Sequence, residues 1–597
     1  MSFVQKIGLF LFAAAFALFT LTLGLERYQL SEATLGIQNE YHKSAILEAA
    51  AANGMLGKRY ASSFEFVPAF KKTLESAKSQ LDKRAKTDLP EGVKEWDFRM
   101  GSWQLKDYTF QAVRQSAVGP VSSNPLLFLW MTFGLAILGG LLYILPQWGE
   151  IPGIKNNHIY HNAMTRGLTW GWRAVFLSAG IIGLLLYGVY YMNKSYLWPA
   201  VSALIALLII AIVAFGEKQV QKKAPRSASP GTTAWLGILA GVYLIGFYLL
   251  LYWMPQHITP WIVIVDPISK VLNGGPASQW FLYGLLYTLI VLVMGLRMMA
   301  KYRHNRYQLV RTGSVMFFQT AFAFLLPEIL VRLNQPYYDF KNIWPLNYTF
   351  FFDWNIKSLL NSGALGTFML VWGIVLALVG VPVFTWLFGK RWYCSWVCGC
   401  GGLAETLGDP YRQLSDKSLR AWKYERWIIH GVLVFAVGMT VLVLYTYFTG
   451  SKDVLSLNTE TVRTWYGFLI GSAFAGVVGT GFYPLMGNRV WCRFGCPLAA
   501  YLGLVQRFQS RFRITTNGGQ CISCGNCSTY CEMGIDVRHY AQRGQDIVRA
   551  SCVGCGVCAA VCPRGVLRLE NSSLDISQRT EALRTIHIAE DRVSLDF

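Results

Sequence analysis

Two cysteine runs near the C-terminus, CISCGNCSTYC at 521–531 and CVGCGVCAAVCP at 552–563, share the spacing C-x2-C-x2-C-x3-C. Three thiolates this close in a tight loop can reach three irons of one cubane. The fourth cysteine of each run lies on the next turn of chain and ligates the other cluster. The spacing therefore assigns Cys521, Cys524, Cys527 and Cys562 to one [4Fe-4S] cluster, and Cys552, Cys555, Cys558 and Cys531 to a second. Structural zinc is disfavoured, because zinc pairs are usually separated by a longer loop. Gly525, Gly554 and Gly556 suit a backbone that must wrap closely around a cluster. Such a pair of sites implies one-electron transfer and leaves its direction open.

Five further cysteines sit in a duplicated frame. FTWLFGKRWYCSWVCG at 384–399 and FYPLMGNRVWCRFGCP at 482–497 share F-x2-L-x-G-x-R-x2-C-x3-C. Each follows an apolar run, so the copies are expected to share one orientation about an axis along the membrane normal. Cys394, Cys398, Cys492 and Cys496 would suffice for one additional iron-sulfur cluster or metal site at the membrane surface. A metal-free dithiol or a packed interface are the alternatives. Arg391, Arg489 and Arg493 would lower thiol pKa and offset cluster charge. Cys400 belongs to neither pattern and is a further candidate ligand.

Over about residues 380–570 these motifs resemble the membrane-bound polyferredoxin family, which includes NosR-like and NapH-like proteins and CcoG-like copper reductases. The resemblance implies electron transfer between the membrane quinone pool or cytoplasmic donors and a respiratory or metal-maturation partner. Its matching residues are Cys394 and Cys398, Cys492 and Cys496 with Pro497, and the eight ferredoxin cysteines. Two departures stand out: Gly399 replaces the family's proline, with Cys400 beside it, and residues 26–124 hold no flavin-attachment motif.

The elements that position these cysteines are membrane helices. The chain has 597 residues, 53% hydrophobic and 15% charged, a balance suited to a polytopic membrane protein. Ten apolar runs are long enough to cross a bilayer: 7–25, 125–146, 172–192, 196–216, 233–253, 279–298, 313–331, 364–388, 428–448 and 465–486. The first reads as an uncleaved anchor, since no small-residue cleavage site follows it. With the N-terminus inside, the inner loops carry seventeen Lys or Arg and the short outer loops seven. That excess obeys the positive-inside rule and accounts for the net charge of +21, so nucleic acid is not an expected partner.

The expected fold is mainly α, a polytopic helical membrane protein of about ten helices with a C-terminal α+β dicluster ferredoxin domain. Its parts are an N-terminal anchor (1–25), a helix-rich extracytoplasmic domain (26–124), membrane helices (125–363), a duplicated membrane region with the Cys-x3-Cys motifs at its cytoplasmic face (364–500), a cytoplasmic 2x[4Fe-4S] domain (501–575) and a tail (576–597). A polar linker at 217–233 marks a weaker boundary.

Weaker candidates remain. Glu328 is an ionisable group inside an apolar run, costly there and a functional candidate for that reason. An ion pair to Arg332, four residues on, is its structural explanation. Glu328 with Arg332, Tyr337 and Tyr338 is the first place to expect a quinone. His430 reads as an interfacial histidine, and His158 and His161 as loop residues. No Cys-x2-Cys-His haem motif, P-loop, dinucleotide fingerprint or hydrolase elbow occurs.

The expected function is membrane-bound iron-sulfur electron transfer between the quinone/quinol pool and protein redox partners of a respiratory chain in the bacterial inner membrane. Membrane lipid surrounds it, and it acts as an electron-transfer component of an oxidoreductase system. A copper-ion reductase for cofactor assembly and a membrane redox sensor are the alternatives.

Overall fold

The computed structural model describes residues 2–87, 98–150, 231–451, 453–454 and 457–571, and the backbone of 586–589 and 592–595. It is mainly helical. Among the described residues six helices are long and apolar enough to cross a membrane: Phe3–Leu25, Pro125–Gly149, Gln279–Tyr302, Arg306–Arg332, Gly363–Phe388 and Leu419–Thr449. These match six of the ten expected runs. The runs at 172–192 and 196–216 lie outside the described residues, as do His158, His161 and most of the linker at 217–233.

Two expected spans differ. The run at 233–253 continues into a second helix after a 112° bend, Leu239–Trp253 followed by Pro255–Ile264. Pro255 has no backbone N–H and a fixed φ, so the helix cannot pass straight through it. The run at 465–486 is helical to Gly481 and again over Tyr483–Met486, but it is not among the helices apolar enough to span. Its glycines and the aromatic and hydroxyl residues between them dilute the apolar face.

The chain divides into two compact units. The first comprises residues 1–152, 239–301 and 316–340. In it Phe3–Leu25 packs on Leu135–Ile144 with the backbones touching at Gly8 and Gly139, the close approach that small residues permit between membrane helices. The same unit holds a separate apolar core between residues 28 and 113, formed by Glu40–Ala52, Ser63–Thr87 and Ser102–Gln115 with a short antiparallel strand pair in which Tyr28 faces Tyr60.

The second unit, whose described part covers residues 231–238, 302–315 and 341 onward, contains all the cysteines. Its C-terminal module is held by an antiparallel pair, Arg513–Thr516 against Leu567–Glu570, in the register Arg513 to Glu570 and Thr516 to Leu567. Ile547 bridges to Ile514 on the other side. Between the strands, each cysteine run ends in one short helix, Asn526–Thr529 or Val557–Ala560. A final hairpin pairs Ile586–Ala589 with Arg592–Leu595.

Candidate iron-sulfur site

The duplicated frame is visible in the backbone. Gly389 and Gly487 occupy equivalent positions with φ of 70° and 94°, a left-handed conformation that ends each preceding helix. Each cysteine loop then closes identically: Cys398 N–H donates to Tyr393 C=O at 2.8 Å, and Cys496 N–H to Trp491 C=O at 2.9 Å. Both copies are preceded by a widened helical turn, Leu376–Gly380 in the first and part of Gly467–Val478 in the second. Such one-residue insertions recur at functional sites.

Cys394, Cys398, Cys492 and Cys496 are all buried, and the two copies face one another in a common core. Burial pushes the Cys394 thiol up to about 12 and also raises Cys492 and Cys496; neighbouring Cys398 and Cys492 contribute to the Cys394 shift. Cys398 is the exception, lowered to about 6 chiefly by a hydrogen bond from the Cys400 thiol. The unmatched fifth cysteine therefore sits against the site and not apart from it.

The three arginines of the frame diverge. Arg489 Nη1 lies 3.6 Å from Cys492 Sγ and 3.3 Å from the Cys394 carbonyl, so it is the one that faces the sulfurs. Arg493 is taken up by Glu425 at 2.6 Å. Arg391 turns to the ferredoxin module, with its guanidinium 4.5 Å from the Phe512 ring and a 2.7 Å bond to Asn571 Oδ1. The expectation that all three depress the cysteine pKa values therefore narrows to Arg489, whose effect on Cys394 and Cys492 is smaller than that of burial.

In the module the eight remaining cysteines line two small cavities. One is lined by Cys521, Cys524, Cys527 and Cys562, together with Arg538 and Arg564. The second is lined by Cys531, Cys552, Cys555 and Cys558. The last cysteine of each run thus crosses to the other cavity. Ile535 N–H donates to Cys531 Sγ at 3.4 Å. Burial pushes Cys527, Cys552 and Cys555 up to about 12, 11 and 12. Convergent buried thiols that resist ionisation on their own suit a metal centre, whose binding displaces the protons.

The two cavities differ in setting. At Gly554, with φ of 63°, a Cβ would lie 2.6 Å from Arg391 Cβ and 3.0 Å from the Phe512 ring. The equivalent position of the first run is Ser523, also left-handed at φ 58°. Tyr307 donates to the Gly554 carbonyl at 2.8 Å, and Gln308 to that of Cys555 at 2.8 Å. The second run is packed into the unit, whereas Ile522 of the first is 55% exposed.

Between the twin motifs and the second cavity lies a buried ionic cluster that the sequence did not reveal. Glu405 pairs with both Arg311 and Arg489. Glu532, next to Cys531, pairs with Arg489 at 3.0 Å and Arg412 at 2.8 Å, and Arg412 reaches Asp409 at 3.4 Å. Three guanidiniums face three carboxylates, which satisfies the requirement that buried charges be paired. Burial alone would raise the Glu532 carboxyl, but Arg412, Arg489 and Arg311 hold it down to about 2. Glu405, Glu532 and Cys555 also approach as a potential cation site. The arginines already neutralise that group, so the ionic cluster explains it. The sequence signal, in retrospect, was the acidic residue directly after a ligand cysteine in CEMG.

The weaker candidates are dispersed. Glu328 is buried and accepts from Asn273 Nδ2 at 2.7 Å, while Arg332 donates to the Val271 carbonyl. The expected Glu328–Arg332 pair is therefore not formed, because both side chains turn to the short helix Asp266–Leu272 and its C-cap. Tyr337 is exposed. Tyr338 is buried with its ring 4.8 Å from Phe340.

Comparison with known proteins bears directly on these cysteines. Residues 520–567 match the 4Fe-4S dicluster domain, and residues 370–419 and 467–515 each match a 4Fe-4S binding domain. The cysteine-bearing part of this chain is polyferredoxin-like. It is 30% identical over 182 residues to YccM of Escherichia coli (strain K12), named for electron transport, across 27% of this chain and 47% of that protein. It is 27% identical over 254 residues to the methylamine utilization ferredoxin-type protein MauN of Methylobacillus flagellatus, across 40% of this chain and 80% of that protein. The MauN of Paracoccus denitrificans is 28% identical over 165 residues, across 26% of this chain and 54% of that protein. The match thus spans about half the length of two of these relatives. No solved structure matches the chain. The polyferredoxin-like part carries 4Fe-4S binding domains, which supports iron-sulfur clusters as its cofactors.

Proposed function

We propose that this chain is a membrane-bound iron-sulfur electron-transfer protein of the bacterial inner membrane, passing electrons between the quinone/quinol pool and protein redox partners of a respiratory chain, with its ferredoxin module on the cytoplasmic side. In this reading Cys521, Cys524, Cys527 and Cys562 hold one [4Fe-4S] cluster, and Cys531, Cys552, Cys555 and Cys558 a second. Cys394, Cys398, Cys492 and Cys496 hold a third, with Cys400 outside its ligand set. A bound cluster supplies a one-electron carrier. Glu328, Arg332, Tyr337 and Tyr338 remain the proposed quinone site.

The supporting observation is the continuity of the cysteine sites. Arg489 touches Cys492 Sγ and pairs with Glu532, the neighbour of Cys531, while Gln506 donates to the Cys552 carbonyl at 2.8 Å and accepts from Lys390 N–H at 2.6 Å. These residues tie the twin motifs to the second cavity. Arg489, 3.6 Å from Cys492 Sγ, places a cation beside a sulfur that a thiolate-ligated cluster would make negative.

Anaerobic purification with iron and sulfide analysis tests the reading. About twelve irons per chain support three clusters, about eight support the module alone, and stoichiometric zinc without iron overturns it. Reduced protein is then mixed under anoxia with a quinone analogue or with cupric ion. Bleaching by the quinone alone supports the respiratory reading, and bleaching by copper alone supports the metal reductase.

A further inference from the structure

A partly open cavity of about 310 Å³ lies beside the twin motifs in the second unit. Its walls come from the N-terminal turns of the span Leu419–Thr449, the helix Pro497–Gln509 and the module segment 548–551, and Cys492 borders it. Five fixed cations line it: Lys390, Arg426, Arg493, Arg507 and Arg549. The carboxylate in the wall, Glu425, is engaged by Arg493 at 2.6 Å.

The other four cations have no carboxylate partner among the described residues. Lys390 is 1% exposed, and its ammonium donates to the Ala550 carbonyl at 3.3 Å. Arg426 and Arg549 both lie over the ring of Trp422, at 4.4 and 4.3 Å, so two like charges share one aromatic platform. Arg507 also lines the cavity, with its guanidinium 5.8 Å from the Phe508 ring. Burying the Lys390 ammonium with no carboxylate beside it is unfavourable, and Arg426, Arg507 and the half-buried Arg549 add three more cations to the same lining, so the arrangement favours an anion.

The surroundings indicate which anion. The cavity lies at the end of a membrane-crossing helix, and apolar residues share its wall and mouth: Ile429, Leu504 and Phe508, the last 71% exposed. On the same helical end Trp427 is 80% exposed and Tyr424 66%. Aromatic side chains of this kind settle at the membrane interface, and basic pockets between spans take anionic headgroups. We propose that this cavity binds the headgroup of an anionic phospholipid, with the phosphate against Lys390, Arg426, Arg507 and Arg549 and the acyl chains running along the apolar surface of Leu419–Thr449. Free inorganic phosphate shares the headgroup chemistry but not the apolar requirement. Nothing in the proposal depends on the electron-transfer reading.

The test uses the full chain, purified in detergent and stripped of lipid, with native mass spectrometry or a fluorescent-lipid titration. Three probes are compared: phosphatidylglycerol, phosphatidylcholine and inorganic phosphate. Phosphatidylglycerol is expected to bind at least tenfold more tightly than phosphatidylcholine, and millimolar phosphate is expected not to displace it. The variant Arg426→Gln/Arg507→Gln/Arg549→Gln loses about a hundredfold in affinity for phosphatidylglycerol, at roughly tenfold or less per cation removed. The control Arg420→Gln/Lys423→Gln, on exposed positions outside the cavity, changes it little. If the triple variant does not fold, single Arg507→Gln and the lipid comparison on the unaltered chain decide the matter. Equal affinity for the two lipids, a triple variant that folds and binds as before, or phosphate that competes as strongly as the lipid would each overturn the proposal.

Discussion

Replacing Glu532 by Gln keeps the shape of the buried ionic cluster and removes one of its charges. Arg412 is then left with Asp409 at 3.4 Å, and Arg489 with Glu405. The carboxyl is held at about 2 against an ordinary 4.5, a difference of some 2.5 units in a fully buried group. At about 1.4 kcal/mol per unit this corresponds to about 3 kcal/mol, which agrees with the cost of breaking a buried ion pair by removing one partner. A depressed carboxylate stabilises the folded state above the unfolded pKa and loses that contribution as pH falls through the folded one. The advantage of the unaltered protein over Glu532→Gln is therefore complete at neutral pH and shrinks between about 4.5 and 2. For a unit of this size the loss corresponds to a midpoint about 6 to 12 °C lower, followed by tryptophan fluorescence of the purified protein in detergent. Glu460→Gln is the control: Glu460 pairs with Arg463 but is 64% exposed, where a pair contributes at most about 1 kcal/mol. If Glu532→Gln melts with Glu460→Gln, or if its effect simply adds to that of Arg412→Gln, the cluster is not a coupled unit and the reasoning fails.

Four further outcomes are expected. Cys531→Ala lowers iron in the site shared with Cys552, Cys555 and Cys558, and Cys562→Ala lowers it in the site shared with Cys521, Cys524 and Cys527; spectra of the two variants that each implicate the nearer run would contradict the crossed pairing. Gly554→Ala forces a Cβ to 2.6 Å from Arg391 at a left-handed φ and lowers iron content and expression, whereas Ser523→Ala is tolerated; iron analysis distinguishes them. Arg489→Gln removes a cation 3.6 Å from Cys492 Sγ and makes the reduction potential of the twin-motif site more negative by about 60 mV or more, measured by redox titration. Cys400→Ala leaves iron content unchanged, and in iron-free protein it moves the Cys398 thiol upward from about 6, read from thiolate absorbance against pH.

The cysteine chemistry was legible because it is local: ligand spacing within eleven residues dictates which sulfurs can meet, and the repeat aligns two loops by sequence alone. The crossing of Cys531 and Cys562 follows from the same short-range geometry. What lay hidden is long-range. Glu405 is 84 residues from its partner Arg489, and no periodicity marks a charge whose partner is that far away in sequence. Glu328 failed in the opposite way. Its spacing from Arg332 suits an i,i+4 pair, but Asn273, 55 residues away, offers a buried amide that the carboxylate takes instead. Span prediction by apolar length worked for six helices and missed the bend at Pro255, because hydropathy averages across a proline that breaks direction without changing polarity.

The two copies of the cysteine frame share a Gly-x-Arg turn but put it to different uses. Arg391 is the ferredoxin module's clasp, gripping Phe512 and Asn571, and Arg489 the inward charge that touches sulfur. Their preceding residues have diverged in step, Lys390 facing the basic cavity and Asn488 bonding Glu532 at 3.2 Å. A duplicated ligand loop has thereby acquired a front and a back, so the twin site can be approached from two sides that are chemically distinct.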